Sequence, residues 1–389
     1  MTSPRITTYE QWRAAGFFPA LEGLRAVAAL LVVFHHARSR SLWGWLEGWN
    51  GVTLFFVLSG FLITTLALRE EEALGALRWR SFAVRRVFRI LPVYVVSLGL
   101  YVLAMSAVGI GAAHRGPFFH AIPWYLSPFS EVPFFSRTHV VFSLAWSLGI
   151  EEKFYLLWPL LAFVMLRRRA RGRLGLALVL ALVLQLPIAF SSGGRAVAPY
   201  TAILIGCALA FLLHNRSSFE RLSRLGSSWW FLVAAALLVV VHGLTHVVNP
   251  TAPGFRVASP FYYLPYSFAA ALVIASLALR AGGSGPLESQ PMRLIGRVSY
   301  PLYLTHPIAL GFAAALIAPG GVATELAYLA VGLALSLALA YGLHRVVERP
   351  LIRVGKRQAE RISPWRPAGE ARTEPRRAPR WARVPLFSR

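Results

Sequence analysis

The chain contains no aspartate; all 16 of its acidic residues are glutamates. That excludes EF-hand calcium loops, aspartate-built metal clusters, DxD sugar-nucleotide motifs and a Ser-His-Asp triad in its usual form. A single cysteine, Cys207, rules out an internal disulfide and a cysteine-built zinc site. Lysine is scarce as well: among 40 basic residues only Lys153 and Lys356 are lysine, and the rest are arginine. Charged residues make up only 14% of the 389, against about a quarter in a soluble domain. The chemistry available therefore draws on His, Glu, Arg, Ser, Thr and Tyr.

What fills the gap is apolar. Hydrophobic residues account for 56% of the chain and the mean hydropathy is +0.56, so a bilayer is the expected solvent. Crossing a hydrocarbon layer of about 30 Å takes roughly 17–25 apolar residues in a helix. Ten runs meet that need: Ala20–Ala37, Gly51–Leu68, Ile90–Ile110, Leu144–Leu166, Leu174–Phe190, Val197–Leu213, Trp229–Val247, Pro260–Leu279, Ser299–Ala318 and Thr324–His344. An eleventh stretch, Phe118–Pro133, is short, broken by proline and rich in aromatic residues, which prefer the headgroup level. It reads as an interfacial or re-entrant segment. The expected fold is an all-α polytopic integral membrane protein of about ten transmembrane helices.

The basic residues orient it. With the N-terminus in the cytoplasm, the inner segments hold 32 of the 40 Lys and Arg, the outer loops hold six, and Arg25 and Lys153 lie within spans. Counting 118–133 as a full span would throw the run Arg167–Arg173 outside, against the positive-inside rule. Three regions follow: a cytoplasmic N-terminal segment 1–19, a membrane domain 20–344, and a basic cytoplasmic tail 345–389. From Ile362 onward the tail mixes arginine with proline and lacks helical periodicity, so it is expected to be largely disordered near anionic lipid. Most of the net charge of +24 is thus a topology signal and an attraction to membrane lipid; no nucleic-acid partner is expected. No cleavable signal peptide is evident, because the first apolar run carries Glu22, Arg25, His35 and His36. No internal repeat is visible.

An ionisable group inside a span costs at least a few kcal/mol unless paired or hydrated, so each is a functional candidate. In the first run Arg25 and His36 stand eleven residues apart, about 20° past three full turns, and share one helix face about 16 Å apart along the axis. Glu22 lies one turn from Arg25. The stripe reads as the wall of a polar tunnel; taken alone, it reads equally as an interfacial ion pair with a snorkelling histidine. In the fourth run Ser147, Glu151 and Tyr155 repeat at i, i+4 and share a face. Glu151 sits at the expected depth of His36, where a carboxylate would fix the tautomer of an imidazole and stabilise its cation. Glu152 and Lys153 read as charge balance.

Arg86 and Arg89 are one turn apart at the mouth of the third run, suited to gripping phosphate with forked donors; plain positive-inside anchoring is the bland alternative. The Ser59-Gly60 pair in the second run reads as a close-packing point. Tyr303 and His306, three apart before Pro307, suit a site but carry little alone. His242 and His246 at i, i+4 lack further metal ligands, and no metal is expected. His114, His120 and His139 in the outer aromatic loop read as solvated.

Five stretches together resemble the acyltransferase-3 family of integral membrane O-acyltransferases. They are Leu21–His36 with the spacing R-x10-H, Gly51–Ile63 with FFxxSGF, Phe82–Tyr94 with RxxR before Ile-Leu-Pro, Trp146–Tyr155 with WSLxxExxFY, and Ser299–His306. They follow in family order over nearly the whole chain. The resemblance implies a ten-helix membrane domain that moves an acyl group, usually from acyl-CoA (here acetyl-CoA is expected), to a hydroxyl on a carbohydrate or similar acceptor. By position Arg25, His36, Arg86, Arg89 and Glu151 match the family's functional residues. Glu22 stands where the family usually shows Asp. Thr53 stands where many relatives carry a carboxylate, which puts more of the acidic role on Glu151. Many relatives append an extracytoplasmic SGNH-type esterase domain, whereas this sequence runs into a short basic tail, so the membrane domain is expected to act alone or with a separate partner.

On this reading Arg86 and Arg89 hold the CoA phosphates at the inner face. The pantetheine arm runs past Arg25, and His36 is the general base, oriented by Glu151; an acyl-histidine relay is the rival arrangement. The expected location is a bacterial-type plasma membrane with both termini cytoplasmic. A transporter or flippase is the alternative class, but it would typically show broken helices in two repeated halves, which are not visible.

Overall fold

The computed structural model describes residues 7–38, 40–108, 114–136, 141–166, 170–186, 197–248, 260–280 and 285–362. Among the described residues helix is the only regular structure, without a strand. In its described residues each of the ten apolar runs falls on a helix: α1 Pro19–His36, α2 Asn50–Leu74, α3 Trp79–Leu103, α4 Ala145–Pro159, α5 Ala170–Val183, α6 Ala198–His214, α7 Ser228–Val248, α8 Pro260–Ala278, α9 Ser299–Leu316 and α10 Val322–Leu343. Among the described residues three stretches, Gly44–Leu74, Trp79–Ala107 and Val322–Ile362, are by themselves long and apolar enough to cross a membrane. Ala198–His214 meets the same test only with Arg216–Gly226, beyond a 102° bend. The polarity of the molecule is inverted relative to a soluble protein. Met165, Val239 and Leu316 are 69%, 69% and 74% exposed, whereas Thr64, Ser97, Thr201 and Ser276 are fully buried. A hydrocarbon solvent demands that arrangement.

The aromatic stretch 118–133 forms the helix Arg115–Tyr125, with Pro123 inside it, and the single turn Val132–Phe135. Eleven residues reach about 16 Å, half the hydrocarbon thickness. The segment is held against α4. Lys153 Nζ donates to Pro128 O and to Glu131 Oε1, both at 2.7 Å, so the lysine inside the fourth span has its counter-ion here.

Helix α2 is central, packing on α1, α4, α6 and α8. Its contact with α6 depends on two glycines that face the partner backbone. A Cβ on Gly60 would collide with the Ile203 carbonyl, and one on Gly206 with that of Val57. Small residues at such a crossing let dispersion attraction act over the whole interface. At the other end of α2, three consecutive glutamates each hold a different element. Glu70 pairs with Arg85 of α3, Glu71 with Arg173 of α5, and Glu72 with Arg13 of the short helix Tyr9–Ala14. Arg69 donates to the Trp12 and Ala15 carbonyls, docking that helix.

The boundary expected after His344 is not a break. A π turn, His344–Glu348, carries α10 straight into α11, Arg349–Ile362. Charge density suggests solvent there, but Gly355 and Ala359 form a small-residue face that lies on α3. Gly355 meets Phe88, and Ser81 Oγ donates to Ala359 O at 3.0 Å. The basic residues occupy the other faces. The proline-rich stretch 363–389, expected to be disordered, lies outside the described residues.

Gly60→Val should force α2 from α6 and cost about 1–3 kcal/mol. The expected result is a lower thermal unfolding midpoint in detergent, with no such loss for the same change at Gly99, whose Cβ position is open.

Candidate active site

Glu151 projects from α4 into a cavity that four other helices also line. Its Oε1 accepts from Ser59 Oγ of α2 at 2.7 Å, and its Oε2 accepts from Tyr155 Oη, one turn on, at 2.9 Å. The two hydroxyl oxygens are themselves 3.0 Å apart. Ser59 follows from the packing of its neighbour: successive helical residues are turned by about 100°, so with Gly60 against α6, Ser59 faces α4. The same face of α4 is used one turn earlier, where Ser147 Oγ meets Tyr303 Oη of α9 at 2.8 Å. The i, i+4 face expected from sequence is thus the face of α4 that lines the cavity described next.

Around this cluster lies a cavity of about 100 Å³ bounded by five helices. Arg25 comes from α1, Ser59 from α2, Arg86 and Arg89 from α3, Ser147, Glu151 and Tyr155 from α4, and Ser299, Tyr300 and Tyr303 from α9. Arg25 Nη2 donates to Ser299 Oγ at 3.0 Å, and Tyr300 Oη donates to Ile90 O at 2.8 Å, fixing α9 to α1 and α3. The Arg86 guanidinium lies 5.4 Å from the Phe82 ring and 5.9 Å from the Tyr155 ring, a cation–π setting. Three guanidinium groups and one carboxylate make the formal charge of the lining positive, suited to an anionic ligand. A second cavity, about 40 Å³, adjoins Arg25 from the side of Phe17 and Phe18; Glu22, Thr65 and Arg69 also line it. Arg25 therefore stands between the two, as a tunnel wall would.

Four of the five residues singled out from the sequence, Arg25, Arg86, Arg89 and Glu151, meet in one cavity. His36 does not line it, and the expected contact between His36 and Glu151 is not made. The carboxylate is occupied by two hydroxyls. His36 Nδ1 instead donates to Val32 O of its own helix at 2.9 Å, so a backbone carbonyl sets its tautomer and Nε2 is the basic nitrogen. The reason is adjacency: α1 packs on α2 and α9, whereas α4 packs on α2 and α3. Equal depth does not make helices neighbours. The ring that faces His36 is His306 of α9, with centroids 5.0 Å apart. Helix α9 presents Ser299, Tyr300 and Tyr303 to the cavity and, one turn beyond Tyr303, His306 to His36.

Ser59, Ser299 and Tyr303 thus join the cavity lining, and His306 lies against His36. Their signals, a Ser beside a packing Gly and a Tyr-x-x-His before proline, were visible but have ordinary packing explanations. His242 is a tether: Nε2 lies 2.8 Å from Leu46 O and Nδ1 3.3 Å from Asn50 Nδ2, which engages both ring nitrogens. The side chains of His139 and His246 lie outside the described residues.

Removing either hydroxyl beside Glu151 deprives a buried carboxylate of a donor. Ser59→Ala and Tyr155→Phe should each cost about 1–3 kcal/mol, read as a lower unfolding midpoint in detergent. In a double-mutant cycle the two losses should fail to add, because the groups share one cluster.

The family model described as an acyltransferase domain, acyltransferase-3, matches residues 18–345. Listeria monocytogenes peptidoglycan O-acetyltransferase OatA is 29% identical over 319 residues, 75% of this chain and 49% of its own length. The Bacillus subtilis protein named "Putative peptidoglycan O-acetyltransferase YrhL" is 30% identical over 329 residues, 77% of this chain and 49% of its own. A Staphylococcus aureus (strain COL) protein, also named as an O-acetyltransferase of that provisional kind, is 27% identical over 394 residues, 93% of this chain and 61% of its own. The chain thus spans between half and three fifths of the length of these curated relatives. No solved structure matches it. With five motif stretches in order and the family match running from the start of α1 through α10, the chain belongs to the acyltransferase-3 family.

Proposed function

We propose that the chain is a multi-pass membrane O-acyltransferase. It takes an acyl group from acyl-CoA, acetyl-CoA by preference, and delivers it to a hydroxyl of a saccharide in the cell envelope. On this reading about ten helices cross a bacterial plasma membrane, with both ends of the membrane domain cytoplasmic. The observation that carries it is the cavity in which Arg25, Arg86 and Arg89 surround a Glu151 held by two hydroxyls. Forked guanidinium donors suit the phosphates of CoA. The names of two relatives point the acceptor toward peptidoglycan.

In the reaction the acceptor oxygen attacks the thioester carbon, the C–S bond breaks, and the hydroxyl proton ends on the sulfur. His36 is the base: with Nδ1 given to Val32 O, its Nε2 takes that proton and returns it to the thiolate. Glu151 orients the Ser59 and Tyr155 hydroxyls and balances the arginines, in place of the imidazole contact expected from sequence. An acyl-histidine relay uses the same nitrogen as nucleophile.

His36→Ala should lower transfer by about 10²–10⁴-fold while leaving membrane insertion intact, measured with labelled acetyl-CoA in membrane vesicles. Normal turnover by the inserted variant would refute the role. Replacing Arg86 and Arg89 by Gln should raise the KM for acetyl-CoA about tenfold or more, as expected when charge-assisted hydrogen bonds are lost. The envelope saccharides of cells with the chain should carry one acyl mass that is missing from cells without it.

A further inference from the structure

Three residues that line the second cavity carry buried polar atoms with no hydrogen-bond partner among the described residues. They are Glu22 Oε2 of α1, and Thr65 Oγ1 and Arg69 Nε of α2. Thr65 is 2% exposed and Arg69 4%. A helical threonine ordinarily turns its hydroxyl to the carbonyl four residues back, as Thr305 does to Pro301 O at 2.8 Å. Thr65 makes no such bond. Arg69 gives its Nη1 and Nη2 groups to the Ala15 and Trp12 carbonyls, which holds the guanidinium in place and leaves the Nε–H as a donor. Apolar side chains would line this space without leaving polar groups unmet. The trio therefore calls for a ligand.

Its chemistry defines one. A carboxylate oxygen asks for an N–H, while a hydroxyl and a guanidinium N–H ask for acceptors. Aromatic rings stand beside them: Phe17 and Phe18 line the same cavity. The Arg69 guanidinium lies 5.3 Å from the Phe18 ring, and that of Arg293 5.7 Å from the Phe17 ring. Rings and guanidinium planes are surfaces on which a nucleobase stacks. An amine donor beside ring-nitrogen acceptors is the edge of adenine.

Position agrees with chemistry. The two cavities share Arg25 and Leu62. Phe17 and Phe18 precede the first residue of α1, whereas His36 is its last. With the donor phosphates at Arg86 and Arg89, the acyl-bearing arm leads toward His36, and the nucleoside lies on the other side of the phosphates. The arm also contains amides, but it runs away from this cavity.

We propose that the second cavity binds the adenine of the acyl-CoA donor. The exocyclic amine donates to Glu22 Oε2, ring nitrogens accept from Thr65 Oγ1 and Arg69 Nε, and the base packs on Phe17 and Phe18. The inference rests on the reading of the first cavity as the place of the donor phosphates.

The test titrates two donors into the purified full chain in detergent: acetyl-CoA, and acetyl-4′-phosphopantetheine, which has a phosphate and the arm but no base. Wild type should bind acetyl-CoA about tenfold or more tightly than the shorter donor, as base stacking implies. Thr65→Val removes one hydroxyl at constant shape. It should weaken acetyl-CoA about three- to tenfold, the loss of one hydrogen bond, and leave the shorter donor unchanged. Thr65→Ser, which keeps the hydroxyl, should bind both as wild type does. Without donor, Thr65→Val should unfold at or above the wild-type midpoint, because it removes an unmet polar group; a lower midpoint would mean that the protein itself satisfies the hydroxyl and would overturn the proposal. Equal wild-type affinity for the two donors overturns it, as does a Thr65→Val that binds acetyl-CoA normally, the result expected of a cavity holding only water. Weakening of both donors by Thr65→Val would put the arm there instead, and overturns it too. Replacing Arg86 and Arg89 by Gln should weaken both donors. If it weakens neither, the phosphate reading fails; if it does while Thr65→Val changes nothing, the adenine site alone is refuted.

Discussion

The bond from Ser59 to Glu151 joins the two helices around which the site is built. A carboxylate surrounded by apolar helices is tolerable only with donors at hand, and here the donors are hydroxyls of α2 and α4. Ser59 reaches Glu151 because Gly60 beside it has no side chain and lets α2 lie directly on α6. Packing and polarity are thus settled by one dipeptide.

The remaining charges follow the same constraint. Glu70, Glu71 and Glu72 leave the end of α2 in three directions and meet three arginines on three elements. Arg38, at the far end of α1, meets Glu325 and the Ile317 and Ala318 carbonyls, tying α1 to the α9–α10 hairpin. These contacts hold α1, α3 and α9 at fixed distances from α2. That spacing places three guanidinium groups around one small cavity and sets the His36 ring against that of His306. The chain therefore spends much of its scarce charge on the frame, and what is left over lines the site.

Much of the site was legible in the sequence, for a physical reason. Arg25 and His36, or Ser147, Glu151 and Tyr155, share a face because helical periodicity is a local property that spacing alone reveals. The clustering of Arg86 and Arg89 with Glu151 was legible only through motif order. What was not legible was partnership. Glu151 was assigned to His36 by depth, and the structure gives it instead to Ser59, 92 residues away. Arg25 bonds Ser299, 274 residues away. The stretch after His344 looked like solvated tail because its arginines dominate the composition; the Gly355 and Ala359 face that docks it is only two small residues wide.

The order of the chain by itself determined the apolar runs, the helical faces and the residue types able to do chemistry without aspartate or a cysteine pair. Each of these depends on neighbours within a turn or two, where backbone geometry leaves little choice. Tertiary structure alone decided which face meets which: that α9 rather than α4 lies against His36, and that three arginines from two helices share one cavity. Those choices depend on how closely distant helices approach, which is set by glycines and paired charges on several elements at once.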